Sequence, residues 1–410
     1  MSLVDNLVQG NAIRKGYDFL DSKLKIDSAL GWAFRKIYYS RKRKIKKNRI
    51  FIMTYDRDFS CNPRYIIEEL LKQKKDVEIY AVYIGNPALA RKSFPREVKL
   101  VKFKTKEMFD AMATSKIWID NALNCVWFGM KKHKGQYYLN TWHGSLGIKK
   151  LGGDRKWMNR ASKCDKVTDY CITNSTFEEN VFKETFWPNV PYLKYGHARN
   201  DVFFDKEKLQ EKRKAVQDYF HIEGDKIIAL YAPTFREDDS KYVPVDFEAL
   251  KKSIEKKYNK ECVIIVRAHN KDRSNSDIVE TDWLKQGSFF GDMQELLPGI
   301  DIGISDYSSW VYDFMLSGRP ILLYVPDIEL YDQKRGFYYP IETTPFPIAK
   351  NNEELGKCIE SFNKDKYKSD MEAFLDDKGC YEDGQACKRI VKAIDDIIND
   401  KFDKLHDYEA

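Results

Sequence analysis

Short apolar runs recur along this chain, each closed by a polar cluster and most followed by a stretch with helical spacing. Strands that alternate with helices build a parallel sheet, and a parallel sheet gathers its ligands at the carboxyl ends of its strands. Residues 302–314 are the sharpest instance. An apolar strand over 297–304, broken by Pro298 and Gly299, is expected to run into Ser305-Asp306-Tyr307-Ser308-Ser309, and an amphipathic helix begins at Trp310. Ser308 and Ser309 then fall where the helix starts. Free backbone N–H groups, the positive end of the helix dipole and two hydroxyls predict an anion site there, with a simple N-cap as the alternative reading.

The same alternation divides the chain in two. Strands are predicted at 49–55, 77–83, 98–103, 117–120, 137–142, 170–173 and 192–195, with helices at 63–74 and 105–114. A charged stretch at 201–224, helical over 207–219, leads to a second set of strands at 226–232, 263–267, 297–304 and 320–325. A length of 410 residues fits two such halves better than one core. The expected organisation is a segment at 1–48, a Rossmann-like domain at 49–200, a linker at 201–224, a second Rossmann-like domain at 225–375, and a C-terminal helix at 376–410 that packs back across both.

Charge sets the first segment apart. The chain carries a net charge of +7, but residues 1–49 hold thirteen basic and four acidic side chains, so the remainder is slightly acidic. Leu30, Ala33, Phe34, Ile37 and Tyr38 recur at helical spacing, and nine Lys or Arg fall between Arg35 and Arg49. A basic aromatic helix of this kind suits the headgroup region of an anionic membrane surface, where each basic residue contributes about 1 kcal/mol. A solvated helix packed on the first domain is the alternative. No basic stripe elsewhere continues the footprint a nucleic acid would need, so no nucleic-acid partner is expected. No run reaches the length of a membrane span and no leader-like apolar run opens the chain, which predicts a peripheral protein on the cytoplasmic face. The eight cysteines form no C-x-x-C pair and are expected to be free thiols, and no Asp-x-Asp stands in the strand-end loops, so neither a metal site nor a cofactor is expected.

The residues at the predicted strand ends share one chemistry. They are His143, Arg199 with Asn200 and Asp201, Thr234 with Arg236, Arg267 with His269, and Asp306 with Ser308 and Ser309. Arginine forks and hydroxyls donate to phosphate oxygens, and a histidine can take a proton near neutral pH. The set describes a cleft that handles phosphate.

In order and in neighbours these residues resemble the CDP-glycerol glycerophosphotransferases of teichoic acid and capsule synthesis. The matching stretches are Thr141-Trp142-His143-Gly144-Ser145, Arg199-Asn200-Asp201, Tyr231-Ala232-Pro233-Thr234-Phe235-Arg236, Arg267-Ala268-His269, Ser305-Asp306-Tyr307-Ser308-Ser309 with Asp313-Phe314, and Arg335-Gly336-Phe337-Tyr338. The resemblance implies a GT-B-like fold and transfer of a polyol phosphate from a CDP-polyol to a lipid-linked acceptor at the membrane surface. Ser145-Leu146-Gly147 departs from the Thr-Pro common in that family, which bears on the acceptor. On this reading His143 is the base for the acceptor hydroxyl. His269 and Arg267 stabilise the transferring phosphoryl group, and Ser308, Ser309, Thr234 and Arg236 hold the CMP phosphate. Arg335 closes on the pyrophosphate, and Asp327 or Glu329 takes the ribose. A ribitol donor, a GT-B sugar transferase and a silent membrane scaffold are the competing readings.

Overall fold

The computed structural model describes residues 29–39, 43–125, 130–151, 155–234, 243–267 and 278–410. Seven strands form the first sheet: β1 (Lys46–Met53), β2 (Glu78–Tyr83), β3 (Lys99–Lys102), β4 (Ser115–Asp120), β5 (Tyr137–Asn140), β6 (Tyr170–Thr173) and β7 (Tyr192–Lys194), in the order β3-β2-β1-β4-β5-β6-β7. Six form the second: β8 (Ile227–Tyr231), β9 (Cys262–Val266), β10 (Leu284–Gln286), β11 (Ile302–Ser305), β12 (Ile321–Tyr324) and β13 (Ile348–Ala349), in the order β10-β9-β8-β11-β12-β13. The strand pairings in both sheets are parallel. These are the two parallel α/β sheets that the alternation predicts, in the GT-B-like, two-Rossmann-like-domain fold that the resemblance implies.

The central strands are apolar because helices cover both faces. All five residues of β9 and the last five of β1 are buried. Strand order reverses between β1 and β4 and between β8 and β11, and the loops that leave those strands are where a doubly wound sheet opens a crevice. The chain then returns to its beginning. Ile390, Ile394 and Ile397 of the helix Ala386–Ile398 share a core with Ile66 and Leu70 of the helix Cys61–Lys72 and with Ile117 of β4.

Three sequence expectations need correction. The apolar run at 297–304 is not one strand: Pro298 cannot donate to a ladder, so Leu297–Gly299 turn as a 3-10 helix and β11 begins only at Ile302. The helix after Ser309 is not amphipathic. It spans only Trp310–Met315 with all six residues buried, and Gly303 admits it, since a Cβ there would stand 3.0 Å from the Trp310 ring. The basic helix is not a segment apart from the first domain. Ala29–Tyr38 is helical as expected, yet Arg35 is buried with its guanidinium 5.1 Å over the Phe109 ring, Tyr39 is fully buried with its hydroxyl on Asp110 at 3.1 Å, and β1 starts at Lys46 inside the basic run. Glu78 draws that run into the sheet by pairing Arg49 at 2.6 Å. The expectations for residues 1–28 lie outside the described residues. Among the described residues, no helix is long and apolar enough to cross a membrane.

Candidate active site

His143 follows β5 on a backbone that the sequence strains. Trp142 adopts φ 47°, a left-handed conformation that few side chains accept, and its ring is wedged against Phe186 at 4.9 Å and Trp187 at 5.6 Å. Asn62 fixes that turn, its amide donating to the carbonyls of Thr141 at 2.8 Å and Trp142 at 3.2 Å. His143 Nδ1 meets the carbonyl oxygen of Asn121 after β4, so Nδ1 carries the proton and Nε2 keeps its lone pair. The ring stacks on Tyr55 at 5.0 Å, and Tyr55 is held by its N–H donating to the Asn121 side chain at 2.7 Å. Burial lowers the His143 pKa to about 4, helped by the Arg199 charge and opposed by the Asn121 contact. The imidazole is therefore neutral and able to accept a proton at physiological pH.

Arg199 is placed beside His143 but is not a free phosphate clamp. It is almost fully buried. Its Nε donates to Asp313 at 3.0 Å, its Nη1 to the Cys61 sulfur at 3.3 Å, and its Nη2 to Asp313 and to the Gly144 carbonyl. Four N–H directions are thus committed, and Arg199 ties the first domain to the buried helix Trp310–Met315 of the second. Asn200 and Asp201 also leave the predicted donor site. The Asn200 amide donates to Glu382 at 2.8 Å, and the Asp201 carboxylate accepts from the N–H groups of Ala386 at 3.0 Å and Cys387 at 2.7 Å, where it caps the C-terminal helix.

In the second domain Asp306 is likewise spent on structure. Its carboxylate accepts from the Thr234 N–H at 2.9 Å and hydroxyl at 2.7 Å and from the Tyr307 N–H at 2.6 Å, joining the loops after β8 and β11. Arg267 grips the 287–291 turn, with Nη1 donating to the Gly287 carbonyl at 3.1 Å and Nη2 to the Gly291 carbonyl at 2.7 Å. Arg335 and Glu329 are exposed on the helix Ile328–Arg335, and Asp327 accepts from the Tyr307 hydroxyl at 3.0 Å. Arg236 and His269 lie outside the described residues.

Ser308 and Ser309 behave differently from these neighbours. They are half-buried, Ser309 makes no side-chain cap, and neither hydroxyl is hydrogen-bonded among the described residues. The His143 loop lies directly against them: a Cβ on Gly147 would stand 3.2 Å from Ser309 Cβ. That loop is fastened to the second domain by the Lys149–Phe337 bridge, by Lys150 N–H on the Gly336 carbonyl at 3.1 Å and by Tyr338 N–H on the Ile148 carbonyl at 2.8 Å. One loop therefore carries His143 at one end and meets Ser309 of the second domain through Gly147. Asn62, Asn121 and Tyr55 were missed by sequence reasoning, since single polar residues after a strand carry no motif. Asp313 was visible only as a neighbour in the Ser308 motif.

The half-buried Glu382 accepts from the His197 N–H at 3.1 Å as well as from Asn200, and desolvation of its carboxylate raises its pKa to about 7. A carboxyl raised above its unfolded value of about 4.3 binds its proton more tightly when folded, so stability is lost as pH rises from about 4 through 7. Glu382→Gln is expected to flatten that loss. The variant's urea midpoint should exceed the parent's at pH 8 by more than at pH 5, and an equal difference at both values would refute the assignment.

The two parallel sheets make a GT-B-like fold, and the sequence places that fold in a class of polyol-phosphate transferases. The sequence profile described as CDP-Glycerol:Poly(glycerophosphate) glycerophosphotransferase matches residues 35–396, and the chain belongs to that family. It is 33% identical over 377 residues to a teichoic acid poly(glycerol phosphate) polymerase of Bacillus spizizenii, covering 84% of this chain and 91% of that protein. A polymerase of the same description from Bacillus subtilis is 28% identical over 85% of this chain but only 48% of its own length. A solved structure of the wall teichoic acid polymerase TagF superposes with a TM-score of 0.80 at 23% identity, covering 98% of this chain and 100% of that one.

Proposed function

We propose that this protein transfers glycerol phosphate from CDP-glycerol to a hydroxyl of a lipid-linked acceptor at the anionic membrane surface, releasing CMP. The family supports the reaction class, and the 33% identical relative is described as a poly(glycerol phosphate) polymerase. The observation that carries the reading is the approach of the loop that bears His143, its proton fixed on Nδ1, to Ser309 through Gly147, with the Ser308 and Ser309 hydroxyls not hydrogen-bonded among the described residues.

In this mechanism the acceptor oxygen forms a bond to the glycerol-bearing phosphorus as its proton passes to His143 Nε2. The bond from that phosphorus to the CMP oxygen breaks, and CMP leaves as an anion that needs charge neutralisation more than a proton. Ser308 and Ser309 donate to the CMP phosphate, with Arg236, Arg267 and His269 as further donors and Arg335 closing from the following helix. Glu329 is the carboxylate proposed for the ribose. Arg199, Thr234 and Asp306 hold the loops that carry these groups.

Ribitol phosphate is the second reading, because a teichoic acid poly(ribitol-phosphate) polymerase of Bacillus spizizenii is also 26% identical over 85% of this chain. Incubation with a lipid acceptor and either CDP-glycerol, CDP-ribitol or UDP-sugars, followed by mass spectrometry of the product, separates the three donors. CMP release with CDP-glycerol alone is the expected result. Release of UDP alone would reject the reading.

Ser308→Ala/Ser309→Ala is expected to weaken CDP binding by about 1 to 3 kcal/mol, the scale for hydrogen bonds to a charged group. Calorimetry with CDP measures it. Unchanged affinity would make these hydroxyls ordinary residues of a turn.

A further inference from the structure

Away from the crevice, at the amino ends of β9 and β12, the second domain encloses a cavity of about 480 Å³. Its charged lining is all of one sign: Lys257, Arg319, Lys364 and Lys368. Its floor is apolar, built from Tyr258, Pro320, Phe362 and Met371. A larger cavity of about 690 Å³ in the same domain shows what an ordinary charged surface looks like, since its Lys226 and Lys251 are answered by Glu261 and Glu255, each at 2.7 Å.

The four cations of the smaller cavity are not answered in that way. Lys257 donates to the carbonyls of Glu360 at 2.9 Å and Phe362 at 2.8 Å, and Arg319 to those of Pro298 at 2.7 Å and Ile300 at 2.6 Å. Those contacts aim the groups; Arg319 also feels the carboxylate of Asp301, which is itself paired with Arg213 at 2.8 Å, and Lys257 has no ion-pair partner among the described residues. Lys368 has only a loose, exposed neighbour in Glu372 at 3.8 Å, and Lys364 has no ion-pair partner among the described residues. Lys364 also opens the 14-residue helix Lys364–Asp377, where the dipole disfavours a cation, and it stands one turn before Lys368, a like-charge i,i+4 pair. An anion seated here relieves both penalties. A small inorganic anion would leave the aromatic and thioether floor uncovered.

We infer that this cavity is a second binding site, distinct from the crevice, for the phosphate of an anionic lipid, the headgroup lying among Lys257, Arg319, Lys364 and Lys368 and the first carbons of the chains over Tyr258, Phe362 and Met371. The inference is independent of the identity of the donor. It gives the second domain its own contact with a lipid surface, in addition to whatever the basic amino-terminal segment supplies.

Monomeric dihexanoyl-phosphatidylglycerol, titrated calorimetrically into the full chain below its micelle concentration, tests the site. Saturable one-site binding is expected, with dihexanoyl-phosphatidylcholine and inorganic phosphate each at least about tenfold weaker. Lys364→Glu/Lys368→Glu should weaken the phosphatidylglycerol by about tenfold or more, given about 1 kcal/mol per basic residue near an anionic surface. The two glutamates suit the first turns of a helix, so folding is not put at risk, and an unchanged melting curve verifies it. CMP release with a soluble acceptor should be unaffected by the double variant, which separates this site from the reaction. Absence of saturable binding, or equal affinity in the variant, would overturn the inference. So would inorganic phosphate binding as tightly as the lipid, because the apolar floor would then contribute nothing.

Discussion

His143→Ala is expected to lower kcat by about 10²- to 10⁴-fold, the range supplied by a positioned general base, while CDP-glycerol affinity changes by less than about twofold. The split follows from where the ring sits. Its Nδ1 is occupied by the Asn121 carbonyl on the first-domain side, whereas the groups proposed for the CMP phosphate belong to the second domain. The pH profile carries a second signature. Burial and the Arg199 charge hold the His143 pKa near 4, well below the ordinary histidine value, so kcat/KM should stay level from pH 7.5 down to at least 6, where an unperturbed imidazole would already be mostly protonated. The sign for stability runs the same way: a histidine whose folded pKa is depressed destabilises the fold as pH drops from about 6.5 toward 4. His143→Ala should therefore narrow the parent's loss of urea midpoint across that window. A variant that keeps turnover within threefold of the parent would move the base to another residue, and a tenfold loss of donor affinity would place His143 on the donor instead.

The two-sheet architecture was readable because strand-length apolar runs set the period, and the charged 201–224 stretch falls between β7 of the first sheet and β8 of the second. The edge strands β10 and β13 were not readable. They have three and two residues, too few for any periodicity, and are stabilised by pairing with β9 and β12. At the site, the sequence offered charged residues at strand ends, and the structure shows that several of them have protein partners. Arg199, Asp201 and Asp306 look like phosphate or ribose ligands when only residue type and strand position are known. Each is consumed by a partner far along the chain, in Asp313, in the N-terminus of the helix Ala386–Ile398 and in Thr234 respectively. A buried charge must be paired or hydrogen-bonded, and the sequence shows the charge without showing the partner. Among the described residues the Ser308 and Ser309 hydroxyls have no such partner, and Ser309 makes no cap for the helix it precedes.

Breaking one half of the Arg199–Asp313 pair should be the most destabilising single change outside the apolar core. Arg199→Met is expected to cost about 3–5 kcal/mol, the scale for leaving a buried charge without its partner. Among the described residues Asp313 would then keep only the Gln294 amide at 2.9 Å as a compensating donor. Asp313→Leu should cost a similar amount for the opposite reason, since it leaves the guanidinium 1% exposed with the Gly144 carbonyl and the Cys61 sulfur but no counter-charge. Burial alone would push Arg199 down, and it is chiefly the Asp313 carboxylate that more than offsets this and holds it above the ordinary arginine range. The double variant Arg199→Met/Asp313→Leu removes both charges together, so its loss should be smaller than the sum of the two singles by several kcal/mol. Lysine cannot reproduce the fork that reaches Asp313, Cys61 and Gly144 at once, and Arg199→Lys should recover only part of the stability. Because Arg199 Nη2 also holds the Gly144 carbonyl next to His143, activity gives an independent reading: the double variant, even where stability is restored, should lose kcat more than donor affinity. Urea unfolding of the four proteins with steady-state kinetics on each decides the matter, and strictly additive losses would mean that the two side chains are not the unit that joins the domains.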